Sequence, residues 1–98
     1  KVPLGLSDHT HGDLTVLASV ALYNCCAVEK HFTLDNCQLG QDHSFSMTPE
    51  DWKKMAGRTE VLQADLARRA SRTYEERYAT LQDYVENERK LLFLTKSD

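Results

Sequence analysis

No stretch of this 98-residue sequence stays apolar for the roughly 18 positions that a membrane helix requires, and no basic segment leads into an apolar one as in a secretory signal. A membrane helix is excluded within these residues, and a cytoplasmic setting with no membrane partner is the expectation. Cysteine is scarce and odd in number: Cys25, Cys26 and Cys37 suit neither a disulfide framework nor the spaced thiols of a zinc knuckle. Reduced thiols are expected, with Cys25 and Cys26 as small buried hydrophobes. Aromatic residues make up 8%, and the 12 Lys and Arg residues are scattered and outnumbered by 15 Asp and Glu, for a net charge of −3. Neither a nucleic-acid groove nor an anionic membrane surface fits that balance, which leaves a small polar substrate or another protein as partner. With 41% hydrophobic and 28% charged residues, the chain reads as one globular domain or one piece of a larger one. It opens on Lys1 and passes directly into an apolar segment, which suggests a fragment of a longer polypeptide.

The pattern along the chain alternates between strand and helix. Residues 2–6 are short, apolar and interrupted by Pro3 and Gly5, which predicts a strand leading into the polar loop 7–12. Asp13 is placed to cap a helix whose buried face carries Leu14, Leu17, Ala18, Ala21 and Cys25 and which ends near Tyr23 and Asn24. Residues 27–34 alternate, with Val28, Lys30, Phe32 and Leu34 on one side and Glu29, His31 and Thr33 on the other, as in a second strand. Residues 35–48 form a 14-residue stretch, longer than most strand-to-helix connections. Thr48, Pro49, Glu50 and Asp51 then announce a helix with Trp52, Met55, Thr59, Leu62 and Leu66 on its core face. A further cap at Thr73 with Glu76 precedes Tyr78, Leu81, Val85 and Leu92, which predicts additional helix. An order of this kind implies parallel strands, yet two parallel strands alone cannot cover both faces, so neighbouring strands are needed from elsewhere.

Two polar pairs stand out within this pattern. Ser7 and His9 are two residues apart, so on an extended backbone they share a face, and Glu29 and His31 repeat the arrangement on the next strand. Neighbouring strands lie about 4.8 Å apart, close enough for the two imidazoles to meet one cation. Two nitrogen ligands leave several positions open, which suits Mn²⁺, Mg²⁺ or Fe²⁺ better than a closed structural zinc site. Asp42 and His43, on the long loop from the same end, are placed to fold over whatever such an ion holds. The plainer readings are a structural role for each histidine, a turn at Ser7 and Asp8, and an ion pair of Glu29 with Lys30 or an arginine. Against them stands the joint pattern, because a central parallel strand is expected to be nearly all apolar and both strands place polar residues at one end.

At these residues the chain resembles the sialic acid synthase family, which makes N-acetylneuraminate and its relatives from phosphoenolpyruvate and an N-acetylated hexosamine. The matching words are Gly5-Leu6-Ser7-Asp8-His9-Thr10, then Glu29-Lys30-His31-Phe32-Thr33-Leu34-Asp35, then Asp42-His43 followed by Ser46 and Pro49-Glu50, over about residues 2–60. The resemblance implies an α/β fold in which residues 1–70 are about the seventh and eighth strand–helix units of a (β/α)8 TIM barrel, incomplete as given, and residues 71–98 are a helical extension. It further implies that His9 and His31 hold a divalent metal, Mn²⁺ or Mg²⁺, that Ser7 contacts phosphoenolpyruvate, and that Glu29 and Asp42 bind the acceptor sugar. A homodimer is implied for the full-length enzyme. The sequence departs from the family at the longer link 23–28, at Gln41 where Pro is frequent and at His11. The family's phosphate-binding lysines and its C-terminal antifreeze-like domain are not among these residues, so the segment alone is not expected to catalyse. The competing readings are a small zinc module using His9, His31, His43 and some of the cysteines, and a helical interaction module built on residues 60–94.

Overall fold

The structure, a computed structural model, describes residues 3–10, 12–33 and 47–97, with side chains through Leu91. In chain order the elements are β1 (Gly5–Asp8), α1 (Leu14–Tyr23), β2 (Ala27–Lys30), α2 (Pro49–Arg68) and α3 (Tyr74–Ser97). The strands pair in parallel, with Gly5 opposite Ala27, Leu6 opposite Val28, Ser7 opposite Glu29 and Asp8 opposite Lys30. The α/β character and the parallel pairing expected from the alternation are both present.

The strand limits differ from the sequence expectation. β1 begins at Gly5 and continues through Ser7 and Asp8, which the polar composition assigned to a loop. An acidic residue is tolerated there because Lys30 directly opposite neutralises it. β2 stops at Lys30; beyond it an isolated parallel bridge joins Phe32 to Met47, with His31 O accepting from Met47 N at 2.7 Å and Thr33 N donating to Met47 O at 3.0 Å. The strict alternation ends with the strand: Phe32 is 56% exposed and Thr33 is buried, the reverse of their predicted sides.

Helix α1 buries Val16, Leu17, Val20 and Ala21, whereas Leu14, expected in the core, is exposed. The buried face is rotated because α1 serves two neighbours. Val16 packs with Met47, Met55, Leu6, Val28 and Trp52 beside the sheet, while Leu17 and Ala21 join Leu62, Leu66, Leu81 and Tyr84 from the other two helices. Asp13 makes no side-chain cap; its carboxylate is held instead by Arg58 of α2. At the other end Asn24 takes the left-handed conformation with φ 54°, and the Arg77 guanidinium of α3 donates to the carbonyls of Val20 and Ala21. These are among the four carbonyls that a helix leaves unpaired at its C-terminus, where a cation also meets the favourable end of the dipole.

Both later helices start as their sequences predict. Thr48 Oγ1 accepts from Asp51 N at 3.2 Å and Asp51 Oδ2 accepts from Thr48 N at 3.1 Å, with Pro49 opening the helix. Thr73 and Glu76 form the same reciprocal pair at 3.1 and 3.0 Å. Met55, Leu62 and Leu66 are buried as expected. Among the described side chains of α3, Thr80, Leu81 and Tyr84 are buried, with Val85 packed beside them and Tyr78 half-exposed, while Leu92 lies outside the described side chains. Residues 74–91 therefore share one core with α1 and α2.

Candidate functional site

The pleat of the two strands sorts their residues. Leu6, Asp8, Val28 and Lys30 lean toward the helices; Ser7 and Glu29 are exposed on the opposite face, and His9 and His31, each one residue past its strand, are exposed with them. Because Ser7 stands opposite Glu29, its hydroxyl reaches across the ladder and donates to Glu29 Oε1 at 2.8 Å. Ser7 Oγ also lies 3.3 Å from His9 Nε2. A carboxylate only accepts, so the hydroxyl proton goes to Glu29 and the Ser7 oxygen accepts from the imidazole N–H. That leaves the second nitrogen of His9 with a lone pair.

The rings of His9 and His31 stand 5.3 Å apart, centroid to centroid, at 61° to each other. Two imidazoles that each reach one ion through a bond of about 2.1 Å place their centroids roughly 5 Å apart, so the pair fits a shared divalent cation. Among the described residues no group of three or more His, Cys, Asp or Glu side chains could hold a metal. A cation held by these two imidazoles alone would keep its remaining positions for water or substrate oxygens. A cavity of about 360 Å³ is lined by Ser7, His9, Glu29, His31 and Phe32, together with Asp8 and Lys30. Asp42, His43 and Cys37 lie outside the described residues. Four of the five predicted site residues, Ser7, His9, Glu29 and His31, come together.

Behind this face lies a group that the sequence reading passed over. Asp8 and Lys30 form an ion pair at 2.5 Å with side chains only 2% and 1% exposed. Lys30 Nζ also donates to Thr10 O at 2.9 Å, and Asp8 Oδ1 accepts from Thr10 N at 2.9 Å and from Thr10 Oγ1 at 2.6 Å. Burial works to raise the Asp8 carboxyl, but the Lys30 ammonium and the Thr10 donors outweigh it and hold it below the usual carboxylate range. The plainer expectation of a Glu29–Lys30 pair is corrected here: successive strand residues point to opposite faces, so Lys30 meets Asp8 and Glu29 meets Ser7. The signal was present in the triplets Ser7-Asp8-His9 and Glu29-Lys30-His31, whose middle residues carry opposite charge.

The cysteines are elsewhere. Cys25 Sγ donates to Ala27 O at 3.1 Å and Cys26 Sγ to Leu4 O at 3.3 Å. Both precede β2 while His31 follows it, about 20 Å from Cys25 and about 16 Å from Cys26 along an extended backbone, so neither joins the histidines around a zinc ion. Cys25 is buried as expected, and Cys26 is exposed.

An uncharacterised protein of Methanocaldococcus jannaschii is 44% identical over 63 residues, 64% of this chain and 18% of that protein. The N,N'-diacetyllegionaminic acid synthase of Campylobacter jejuni is 43% identical over 63 residues, 64% of this chain and 19% of that one. The N-acetylneuraminate-9-phosphate synthase of Drosophila melanogaster is 41% identical over 55 residues, 56% and 14% of the two chains. The match spans less than a fifth of the length of each of these relatives. No solved structure matches the chain. The NeuB family model matches residues 1–71, which contain both strands and all four clustered polar residues, and the chain therefore belongs to the NeuB family of sialic acid synthases.

Proposed function

We propose that this chain is the segment of a NeuB-type synthase that carries the metal-binding wall of the active site, with β1 and β2 as about the seventh and eighth strands of a (β/α)8 barrel. The reaction is the condensation of phosphoenolpyruvate with an N-acetylated hexosamine to a nine-carbon 2-keto sugar acid. C3 of phosphoenolpyruvate bonds to the aldehyde carbon of the open-chain sugar, water adds at C2, and inorganic phosphate leaves with cleavage of the C2–O bond. His9 and His31 hold the divalent cation, Mn²⁺ or Mg²⁺, which supplies Lewis-acid polarisation of the aldehyde oxygen when bound. Glu29 accepts from a hydroxyl of the acceptor sugar, with Asp42 as a second carboxylate on the loop. Ser7 exchanges its hydrogen bond to Glu29 for one to phosphoenolpyruvate. The complete enzyme is a cytoplasmic homodimer, and the remaining phosphate-binding groups come from parts of the polypeptide outside this segment.

What carries the reading is the placement of the His9 and His31 rings 5.3 Å apart beside the Ser7–Glu29 hydrogen bond, on the sheet face away from the helices, in a chain of this family. Support for the fold comes from the parallel pairing, since a parallel sheet with helices on only one side leaves its other face to be enclosed by further strands. The test is Mn²⁺ titration of the full-length enzyme by calorimetry together with phosphate release from phosphoenolpyruvate. Loss of both in H9A and in H31A is expected, with both retained when Cys25, Cys26 and Cys37 are changed to Ser. Loss of metal in the cysteine variant would instead favour the zinc-module reading.

A further inference from the structure

We infer that Asp8 and Lys30 are positioning residues: their buried ion pair on the helix-facing side of the strands sets the height and facing of His9 and His31 on the opposite side. The inference deepens the proposed metal site and rests on it for its consequence for the cation, while the claim about ring placement stands on the metal-free geometry.

Three observations carry it. Asp8 and Lys30 are the last pair of the β1–β2 ladder, and His9 and His31 are the residues that immediately follow. Whatever pins this pair therefore determines where the imidazoles begin. Secondly, His9 is held from both sides by the same cluster. Asp8 Oδ1 reaches over it to Thr10 N and Oγ1, and Lys30 Nζ takes Thr10 O, so the turn containing His9 is tied to β2 as well as to β1. Thirdly, the pair is almost wholly removed from water. Apolar residues of similar volume are commonly as stabilising as a buried ion pair, which makes stability a weak reason for charges at this place.

Register is where the charges make a difference. A slip of one residue would turn every side chain of the strand to the other face, and a slip of two would set Asp8 against Val28 or Phe32 and leave a buried carboxylate without its ammonium. Leucine and methionine at these positions would accept such slips without comparable cost. The ion pair selects the one pairing in which both imidazoles stand side by side, in the way that outer partners of metal ligands orient the ligands themselves.

The experiment compares the full-length chain with its D8L/K30M and D8N variants. Three quantities are measured: thermal stability without metal, the nuclear Overhauser cross-peak between the ring protons of His9 and His31 without metal, and Mn²⁺ affinity. For D8L/K30M the expectation is a melting temperature at or near that of the parent, loss of the ring cross-peak, and Mn²⁺ affinity weaker by about 10–100-fold. A purely structural pair would instead show affinity that follows stability. A folded D8L/K30M protein with the cross-peak and the affinity of the parent overturns the inference. Should that variant not fold, D8N decides, because it keeps the shape and the contact to Thr10 while removing the charge. A weaker cross-peak and roughly tenfold lower affinity are expected for it, and no change in either overturns the inference. If the parent itself shows the cross-peak but binds no Mn²⁺, the metal reading fails, and the positioning claim is judged on the cross-peak in the variants.

Discussion

Glu29 accepts from Ser7 on the exposed side of the sheet, and under the proposed function it contacts the sugar and not the cation. Replacing it by Gln preserves an acceptor for Ser7 but removes the charge. The expected result for E29Q is unchanged Mn²⁺ affinity with kcat/KM for the sugar reduced on the order of 10²-fold, measured by steady-state kinetics alongside metal titration. A second residue-scale prediction concerns the Arg58–Glu88–Tyr84 cluster, in which Arg58 pairs with Glu88 and Tyr84 donates to Glu88 Oε2 at 2.8 Å. Burial acts to raise the Glu88 carboxyl, but the Arg58 guanidinium and the Tyr84 hydroxyl hold it below its ordinary value. A depressed acid stabilises the fold above its unfolded-state value near ~4.3 and loses that contribution as pH falls through the lower folded value. Tyr84 has the opposite sign: burial, followed by the hydrogen bond to Glu88, pushes it up to about 12, so its contribution is complete below about pH 10 and disappears as pH rises toward about 12. Chemical denaturation across pH should therefore show an acid limb flattened in E88Q and an alkaline limb flattened in Y84F.

At the scale of elements, sequence and structure part at the partners of the two ends of α1. Thr48 with Asp51 and Thr73 with Glu76 were legible because a capping box is local, with donor and acceptor three residues apart. The end of α1 near Tyr23 and Asn24 was legible as well, but the donor to its last carbonyls was not, because Arg77 comes from α3, more than fifty residues later. R77A should destabilise the fold by about 1–2 kcal/mol in urea unfolding, since carbonyls of Val20 and Ala21 lose a charged donor. The α2–α3 turn contains Ala70 at φ 51°, a left-handed conformation that an alanine adopts at a cost and a glycine freely. A70G should stabilise by about 0.5–1 kcal/mol, the relief of that strain exceeding the added entropy of the unfolded chain.

At the scale of the whole molecule, the helices lie on one side of the strands and the clustered polar residues on the other. Leu62 is fully buried among Leu17, Ala21, Leu66, Leu81 and Tyr84, at the meeting point of the three helices. L62A should cost about 2–5 kcal/mol, measured by denaturant unfolding, with the upper end applying if the surrounding helices cannot close over the void. Metal affinity of the folded fraction should be unaffected, since Leu62 is in the helix cluster and not in the Val16–Met47–Met55 cluster that supports the strands. Arg58 joins these scales, because it binds both Asp13 ahead of α1 and Glu88 on α3 and so ties the later helix to the loop that descends from His9.

The sequence by itself determined the order of the elements, the parallel character of the sheet, the caps of α2 and α3, and the face shared by Ser7 with His9 and by Glu29 with His31. These depend on short-range rules: alternation with period two, a helical period of 3.6, and capping contacts over three residues. Tertiary structure alone decided that Leu14 is exposed, that β2 stops at Lys30, that Asp13 serves Arg58 in place of α1, and that Lys30 belongs to Asp8. Each of those outcomes turns on which distant group arrives at a given side chain. A carboxylate or an ammonium has several partners nearby in sequence, and its pairing is settled only when packing brings one of them within about 3 Å and shields it from water.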